Sequence, residues 1–206
     1  MDNFRVINSK EINTKMLAAA VKLDKMVYDE RYWIDTNKCI EYFEKNCDIY
    51  IIAIEEKLNQ VVGYINFTPI KDSVYEQILN GSFIDTSFNS DDILEYKNNK
   101  LYYGYLSSIV VHPKYREQGI AEQMTDKLSL KIANLAIEKG IFFREIAADA
   151  VTDSGLRLLL DMGFSVKKQS NHQSTIVTMN LFSRSIKRSR FNNKLIEVYT
   201  KTLKMI

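Results

Sequence analysis

Arg116, Gly119 and Ala121 stand at a spacing that suits phosphate chemistry, in the segment REQGIA (116–121). An apolar stretch ending at Pro113 precedes it, and a stretch with helical periodicity follows. The first N–H groups of a helix have no intrahelical partner, and the helix dipole adds partial positive charge there. Such an end binds phosphate oxygens. Gly119 lets a bulky anion approach the backbone because no Cβ intervenes. Ala121 is nearly as small, and Arg116 can add a full charge on a forked donor. The hexamer alone is equally compatible with an ordinary helix start beside a surface arginine, since short glycine motifs recur by chance.

The other chemistry-bearing residues are sparse. Cys39 and Cys47 lie eight residues apart, and the two histidines, His112 and His172, are far from them in sequence. This suits two free thiols in a reducing compartment better than a disulfide framework or a zinc site, and no metal is expected. His112, beside Pro113, reads as a surface residue. Asp85, Asp91, Asp92 and Glu95 cluster in a polar stretch. They form either a solvated acidic loop or one wall of a site that attracts a cationic amine.

The elements that must hold these residues can be read from periodicity and punctuation. Residues 3 to 7 read as a strand. Helical spacing runs over 12–29 and over 36–46, with Thr36 as the expected N-cap. DIYIIAIEE (48–56) and QVVGYINFTPI (60–70) read as a hairpin turning at Lys57 to Asn59, with Pro69 stopping its second strand. Residues 71–100 break the pattern as an acidic insertion, with a short helix at 74–80 ending at Gly81. LYYGYLSSIVVHP (101–113) is a long strand. A helix then runs from Gly119 to about Lys139 on the stripe Ile120, Met124, Leu128, Ile132, Leu135 and Ala136, stopped by Gly140. REIAADAV (144–151) is a strand, and Asp153 or Ser154 caps a short helix ending at Gly163. A strand from Phe164 and STIVTMNLF (174–182) close the sheet. The order β-α-α-β-β-insert-β-α-β-α-β-β predicts an α/β fold. It has a mixed sheet with helices on both faces and a parallel pair at its centre. One domain is expected over 1–182, followed by a basic amphipathic tail over 183–206.

In the segment around the cradle the sequence resembles the GCN5-related N-acetyltransferase (GNAT) superfamily. That family's cofactor motif is Arg or Gln, two residues, Gly, one residue, then Gly or Ala; here it is Arg116, Gly119 and Ala121. SSIVVHPKY resembles the family's strand ending, and GLRLLLDMGF (155–164) its short helix ending in Gly-Phe. The resemblance covers about residues 100 to 165. It implies that acyl-coenzyme A lies where the strand at 101–111 splays from the strand at 144–151. Backbone groups of Ile109 and Val111 would pair with the pantetheine arm. The amides of Gln118, Gly119, Ile120 and Ala121, with Arg116, would hold the pyrophosphate. Thr152 takes the place of an Asn that the family often has near the cofactor. Two family positions depart: Leu159 stands where a Tyr often acts as acid, and Ser107 where a Glu often acts as base. Tyr103 and Tyr105 share the face of Ser107 by strand alternation, and each reads either as an acid or as a packing residue.

The implied function is acetyl transfer from acetyl-CoA to a primary amine of a small molecule or peptide. The alternative is a catalytically weak acyl-CoA-binding sensor or scaffold of the same fold. Apolar residues make up 46% and charged residues 26% of the 206 positions, with a net charge of +2. That is a globular composition with a weak overall field, and no nucleic-acid partner is expected. The tail holds Arg184, Lys187, Arg188, Arg190, Lys194, Lys201 and Lys204, with a weak apolar face through Leu195, Tyr199 and Ile206. It reads as a docked helix rather than a nucleic-acid or membrane arm. No apolar run reaches a membrane span, and the start MDNFRVINSK lacks a signal-peptide core, so a cytoplasmic protein is expected. Exposed strands and the helical tail are compatible with a homodimer.

Overall fold

The computed structural model describes residues 3–203. The chain runs through β1 (Phe4–Asn8), α1 (Thr14–Val27), α2 (Thr36–Lys45), β2 (Tyr50–Glu55), β3 (Gln60–Ile70) and α3 (Asp72–Asn80). It continues through β4 (Leu101–Val111), α4 (Ile120–Lys139), β5 (Phe142–Ala150), α5 (Asp153–Met162), β6 (Ser165–Gln169), β7 (Thr175–Asn180) and α6 (Asn193–Leu203). The seven strands form one mixed sheet in the order β1-β2-β3-β4-β5-β7-β6, flanked by helices. β4 and β5 pair in parallel, from Leu101↔Phe142 to Tyr105↔Ala147. A parallel pair needs a crossover, and α4 supplies it. The pairs β1–β2, β2–β3, β5–β7 and β6–β7 are antiparallel. Strands β2 and β3 carry apolar residues at nearly every position, the pattern of strands covered on both faces. They are buried throughout except at Gln60.

The chain divides into two compact units. The first comprises residues up to Phe67, Ile84–Glu95 and Ser107–Lys127; the second comprises Thr68–Phe83, Tyr96–Leu106 and the residues from Leu128 onward. The first is built around Leu17, Ile52, Ile65, Ile120 and Met124; the second around Leu128, Ile132, Phe143, Val177 and Leu195. The expected stripe of α4 is buried at all six positions. In the second unit Leu195 and Tyr199 of α6 are also fully buried. The Tyr199 hydroxyl accepts from the Phe143 amide at 2.8 Å, and Lys194 donates to Asn134 at 2.8 Å. Lys204 and Ile206 lie outside the described residues.

Three local expectations are corrected. The N-cap of α2 is Asp35, whose carboxylate accepts from the Lys38 amide at 2.9 Å, and not Thr36. The N-cap of α5 is Thr152, which accepts from the Gly155 amide at 3.1 Å, and not Asp153 or Ser154. In both helices the cap is the last extended residue, the one whose side chain reaches back over the first turn. Pro69 does not stop β3, which continues to Ile70; proline's φ suits an extended strand end. The acidic insertion exposes Asp91 and Glu95 but is anchored through its apolar residues and backbone. Phe83, Phe88 and Ile93 are buried. In the first unit Tyr42, Asn46 and Lys38 donate to the carbonyls of Phe88, Leu94 and Thr86 at 2.5, 2.9 and 2.7 Å.

Candidate active site

In the first unit, β4 ends at Val111 and a short 3-10 turn (Pro113–Tyr115) leads to α4. His112 caps that turn: its Nδ1 accepts from the Lys114 amide at 3.2 Å, and its ring packs edge-on to Tyr115. Glu117 and Gly119 both hold positive φ, 63° and 75°. The Gly119 carbonyl accepts from the Gln123 amide at 3.0 Å. Gly119 is therefore the N-cap, and the amides of Ile120, Ala121 and Glu122 are the donors that a first helical turn leaves without intrahelical partners. A Cβ at Gly119 would meet nothing closer than Glu122 Oε2 at 3.9 Å. The space beside these amides is open, and glycine is required there by φ rather than by crowding. Arg116 and Gln118 are exposed, while Ile120 is buried and anchors the helix. Arg116 Nε donates to the Val111 carbonyl at 3.4 Å, and Gln118 Nε2 to the Lys114 carbonyl at 3.3 Å. Gly63 of β3 lets this corner seat itself: a Cβ there would lie 2.9 Å from the Val110 carbonyl oxygen and 3.1 Å from Met124 Cε.

Behind the end of β4 the first unit holds a buried polar cluster. Ser107, in the position of the family's Glu, donates to Asn66 Oδ1 at 2.9 Å. Asn66 in turn bonds the Tyr50 hydroxyl, which lies 3.1 Å from Cys39 Sγ. The Ser107 proton is thus engaged inward. Burial pushes the Cys39 thiol up to about 11, so it is not a nucleophile at neutral pH. Tyr28, just past α1, was not anticipated. Ile109 and Ser108 lie beside its hydroxyl and favour the charged form. Burial, with Asp24 and Asp85 adding negative charge, holds its pKa far above the usual phenol range. Ile109 therefore meets a tyrosine from a helix more than 80 positions earlier, and no local pattern announces that contact.

In the second unit Thr152 sits at the start of α5 with its hydroxyl on the Gly155 amide. Leu159 is buried, so the position of the family's acidic Tyr is a packing position. Tyr103 stacks on Tyr75 at 3.9 Å between centroids, and Tyr105, fully buried, meets Phe83 edge-on; both serve packing. A second unanticipated group is Asp149 on β5. Burial raises its pKa, while the Ser174 hydroxyl and the His172 charge lower it. The sequence signal was a lone acid inside the apolar strand IAADA. Among the described residues no three His, Cys, Asp or Glu side chains group as metal ligands, and no helix is long and apolar enough to cross a membrane.

Comparison with known proteins bears on the fold and the family. No curated protein matches the chain at a significant level. Among solved structures, the loading GNATL domain of CurA from Lyngbya majuscula superposes with a TM-score of 0.63 at 13% identity, over 86% of this chain and 97% of that one. A GNAT-family acetyltransferase from Staphylococcus aureus Mu50 gives 0.55 at 13%, over 86% and 98%. The NatC complex bound to Gag peptide and CoA gives 0.57 at 18%, over 85% and 96%. These identities show a shared fold. The sequence profile of the Acetyltransferase (GNAT) family matches residues 14–151, more than half of the chain, and the protein belongs to that family.

Proposed function

We propose that the protein is an acyl-CoA-dependent N-acyltransferase that moves an acetyl group from acetyl-CoA to a primary amine of a small molecule or peptide. The observation that carries this reading is the open N-cap at Gly119, with free first-turn amides ahead of α4 and Arg116 beside it. Acyl-CoA supplies the activated thioester. The chain supplies a pyrophosphate cradle from Gln118, Gly119, Ile120, Ala121 and Arg116, and an edge for the pantetheine arm at Ile109 and Val111. A free alkyl amine, with a pKa of about 10.4, arrives protonated. Holding both substrates in one site contributes on the order of 7–11 kcal/mol. A peptide acceptor is in keeping with the fold shared with the peptide-bound NatC complex. Exposed free Cys47 suits a reducing, cytoplasmic setting.

A second reading, an acyl-CoA-binding sensor or scaffold, is favoured by Leu159 and by the inward bond of Ser107. Acetyl-CoA should raise the melting temperature under both readings. Gly119→Glu, which adds bulk and negative charge to the cradle at a residue with positive φ, should abolish that shift; normal affinity in this variant would refute the site. Thiol release across polyamines, aminoglycosides and short peptides with free N-termini separates the readings. Turnover supports the enzyme, and silence with intact binding supports the sensor.

A further inference from the structure

The net charge of +2, on which the expectation of no nucleic-acid partner rests, is the sum of two opposed units. Among the described residues, Lys and Arg number 12 against 17 Asp and Glu in the first unit, and 15 against 8 in the second. A small total therefore hides an excess of one sign on each unit, and a charged partner meets the local field.

Within the second unit, unneutralised cations gather at the end of the sheet where β4 and β5 begin. Hydrogen bonds tie the segments of that end to one another. The Asn99 amide donates to the Lys139 carbonyl at 2.9 Å, the Phe142 amide to the Lys100 carbonyl at 3.0 Å, and the Leu181 amide to the Arg144 carbonyl at 3.1 Å. The 3-10 turn Arg184–Arg188 starts three residues past Leu181, and α6 is fixed to the same end through the Tyr199 hydroxyl on the Phe143 amide. Lys139, Arg144, Arg184 and Lys187 are exposed, and none of their side chains has an ion pair or hydrogen bond among the described residues. Arg190 and Lys201, by contrast, are paired with Asp161 and Glu197 at 3.7 and 2.6 Å. Like charges left without counter-ions repel one another, and an anion that spans them relieves the repulsion.

Two features choose among anions. The four cations come from the end of α4, the start of β5 and the turn before α6. That spread suits a polymer with a charge on every repeat better than one small anion. The apolar face of the tail is used up inside the unit, where Phe191, Leu195 and Tyr199 are buried, so the tail has no stripe left to enter a lipid surface. The large apolar residues exposed on the unit, Leu101, Ile137, Leu160 and Val166, are all aliphatic and offer no platform for stacked bases. We infer that this end of the second unit binds the phosphate backbone of a nucleic acid without reading its bases. The inference is independent of the acyltransferase reading and uses no residue of the proposed cradle. Phosphates lie against Lys139, Arg144, Arg184 and Lys187, and the affinity comes from released counter-ions rather than from base edges.

The test is fluorescence anisotropy of the full chain with a labelled single-stranded RNA of mixed sequence, about 20 nucleotides long so that it spans the surface. Four phosphate contacts on a single strand give a slope of about −2.8 in log affinity against log salt, so affinity should fall about 50-fold between ~50 and ~200 mM KCl. An RNA of the same length and unrelated sequence should bind alike. The fourfold variant Lys139→Gln/Arg144→Gln/Arg184→Gln/Lys187→Gln should lose at least about 10-fold at the lower salt and show a flatter slope. It should keep the parent's melting temperature and acetyl-CoA affinity. Lys15→Gln/Lys22→Gln/Lys57→Gln, which removes exposed cations of the first unit, should bind RNA like the parent. No RNA binding at the lower salt, unchanged affinity in the fourfold variant, or an equal loss in the first-unit variant overturns the inference. Tighter capture by phosphatidylserine vesicles or by polyglutamate than by RNA at equal charge overturns it in favour of a lipid or protein partner. Failure of the unsubstituted protein to bind acetyl-CoA overturns the acyltransferase reading and leaves the RNA result to stand by itself.

Discussion

Asp24 lies in the core of the first unit, 6% exposed, with the Tyr64 hydroxyl donating to its carboxylate. Burial outweighs that bond and raises its pKa to about 6. The unfolded value is about 3.9. Between these values the native state holds more protons than the unfolded chain, so stability falls as pH rises from about 4 to about 6 and is level above. Asp24→Asn removes the penalty and retains an acceptor for Tyr64. We expect it to raise the unfolding free energy at pH 7 by about 1–2 kcal/mol, within the roughly 1.4 kcal/mol per unit that linkage allows, and to flatten the pH 4–6 slope in urea titrations. An unaltered slope would place the titration elsewhere. Glu117 makes the complementary case. A non-glycine residue at φ 63° costs about 1 kcal/mol or more. It sits two residues before the Gly119 N-cap, in the turn that sets the direction of the first amides of α4.

At the scale of elements, the cradle depends on how α4 seats against β3. Gly63 is the contact point, since a Cβ would press on the Val110 carbonyl oxygen at 2.9 Å. Backbone cannot yield as a flexible side chain can, so Gly63→Ala should cost about 1–3 kcal/mol through overpacking. It should also weaken acetyl-CoA binding, although residue 63 touches no ligand in the proposed site. A Gly63→Ala protein with lowered melting temperature and unaltered affinity would show that seating and cradle are uncoupled. The pattern of the strand run predicted β3 well, but nothing in it marked Gly63 as the meeting point of a carbonyl and a methionine from later in the chain. The helix caps show a similar limit. Asp35 and Thr152 lie one or two residues before the expected caps because neighbouring polar residues compete for the role, and only backbone geometry selects the one that reaches the first turn.

At the scale of the whole chain, the tail belongs to the core of the second unit. Phe191, Leu195 and Tyr199 are buried, and the Phe142 and Phe182 rings pack on Tyr199. Burying an apolar side chain of this size contributes about 1.5–3 kcal/mol, so removing residues 183–206 forfeits a large part of a typical domain's stability of about 5–15 kcal/mol. The truncated chain should lose its cooperative thermal transition. The milder Tyr199→Phe, which removes the hydroxyl that the Phe143 amide donates to, should cost about 1–3 kcal/mol in urea denaturation. A truncated chain that melts like the parent would reduce the tail to a surface appendage.

The strand, turn and helix that carry Arg116, Gly119 and Ala121 were legible because their parts are local. Strand end, turn, Gly119 and helix lie within about twenty residues, and positive φ, free amides and helical periodicity follow from short-range sterics and hydrogen bonding. Element order and the parallel pair were legible for the same reason, since hydrophobic period and punctuation are properties of neighbouring residues. Tertiary structure alone decided which polar groups meet. It turned Ser107 inward to Asn66 from the adjoining strand, brought Tyr28 to Ile109, and anchored the acidic insertion on α2. Each of these depends on burial and on contacts between residues far apart in sequence. Desolvation, which sets their chemistry, exists only once the chain has closed around them.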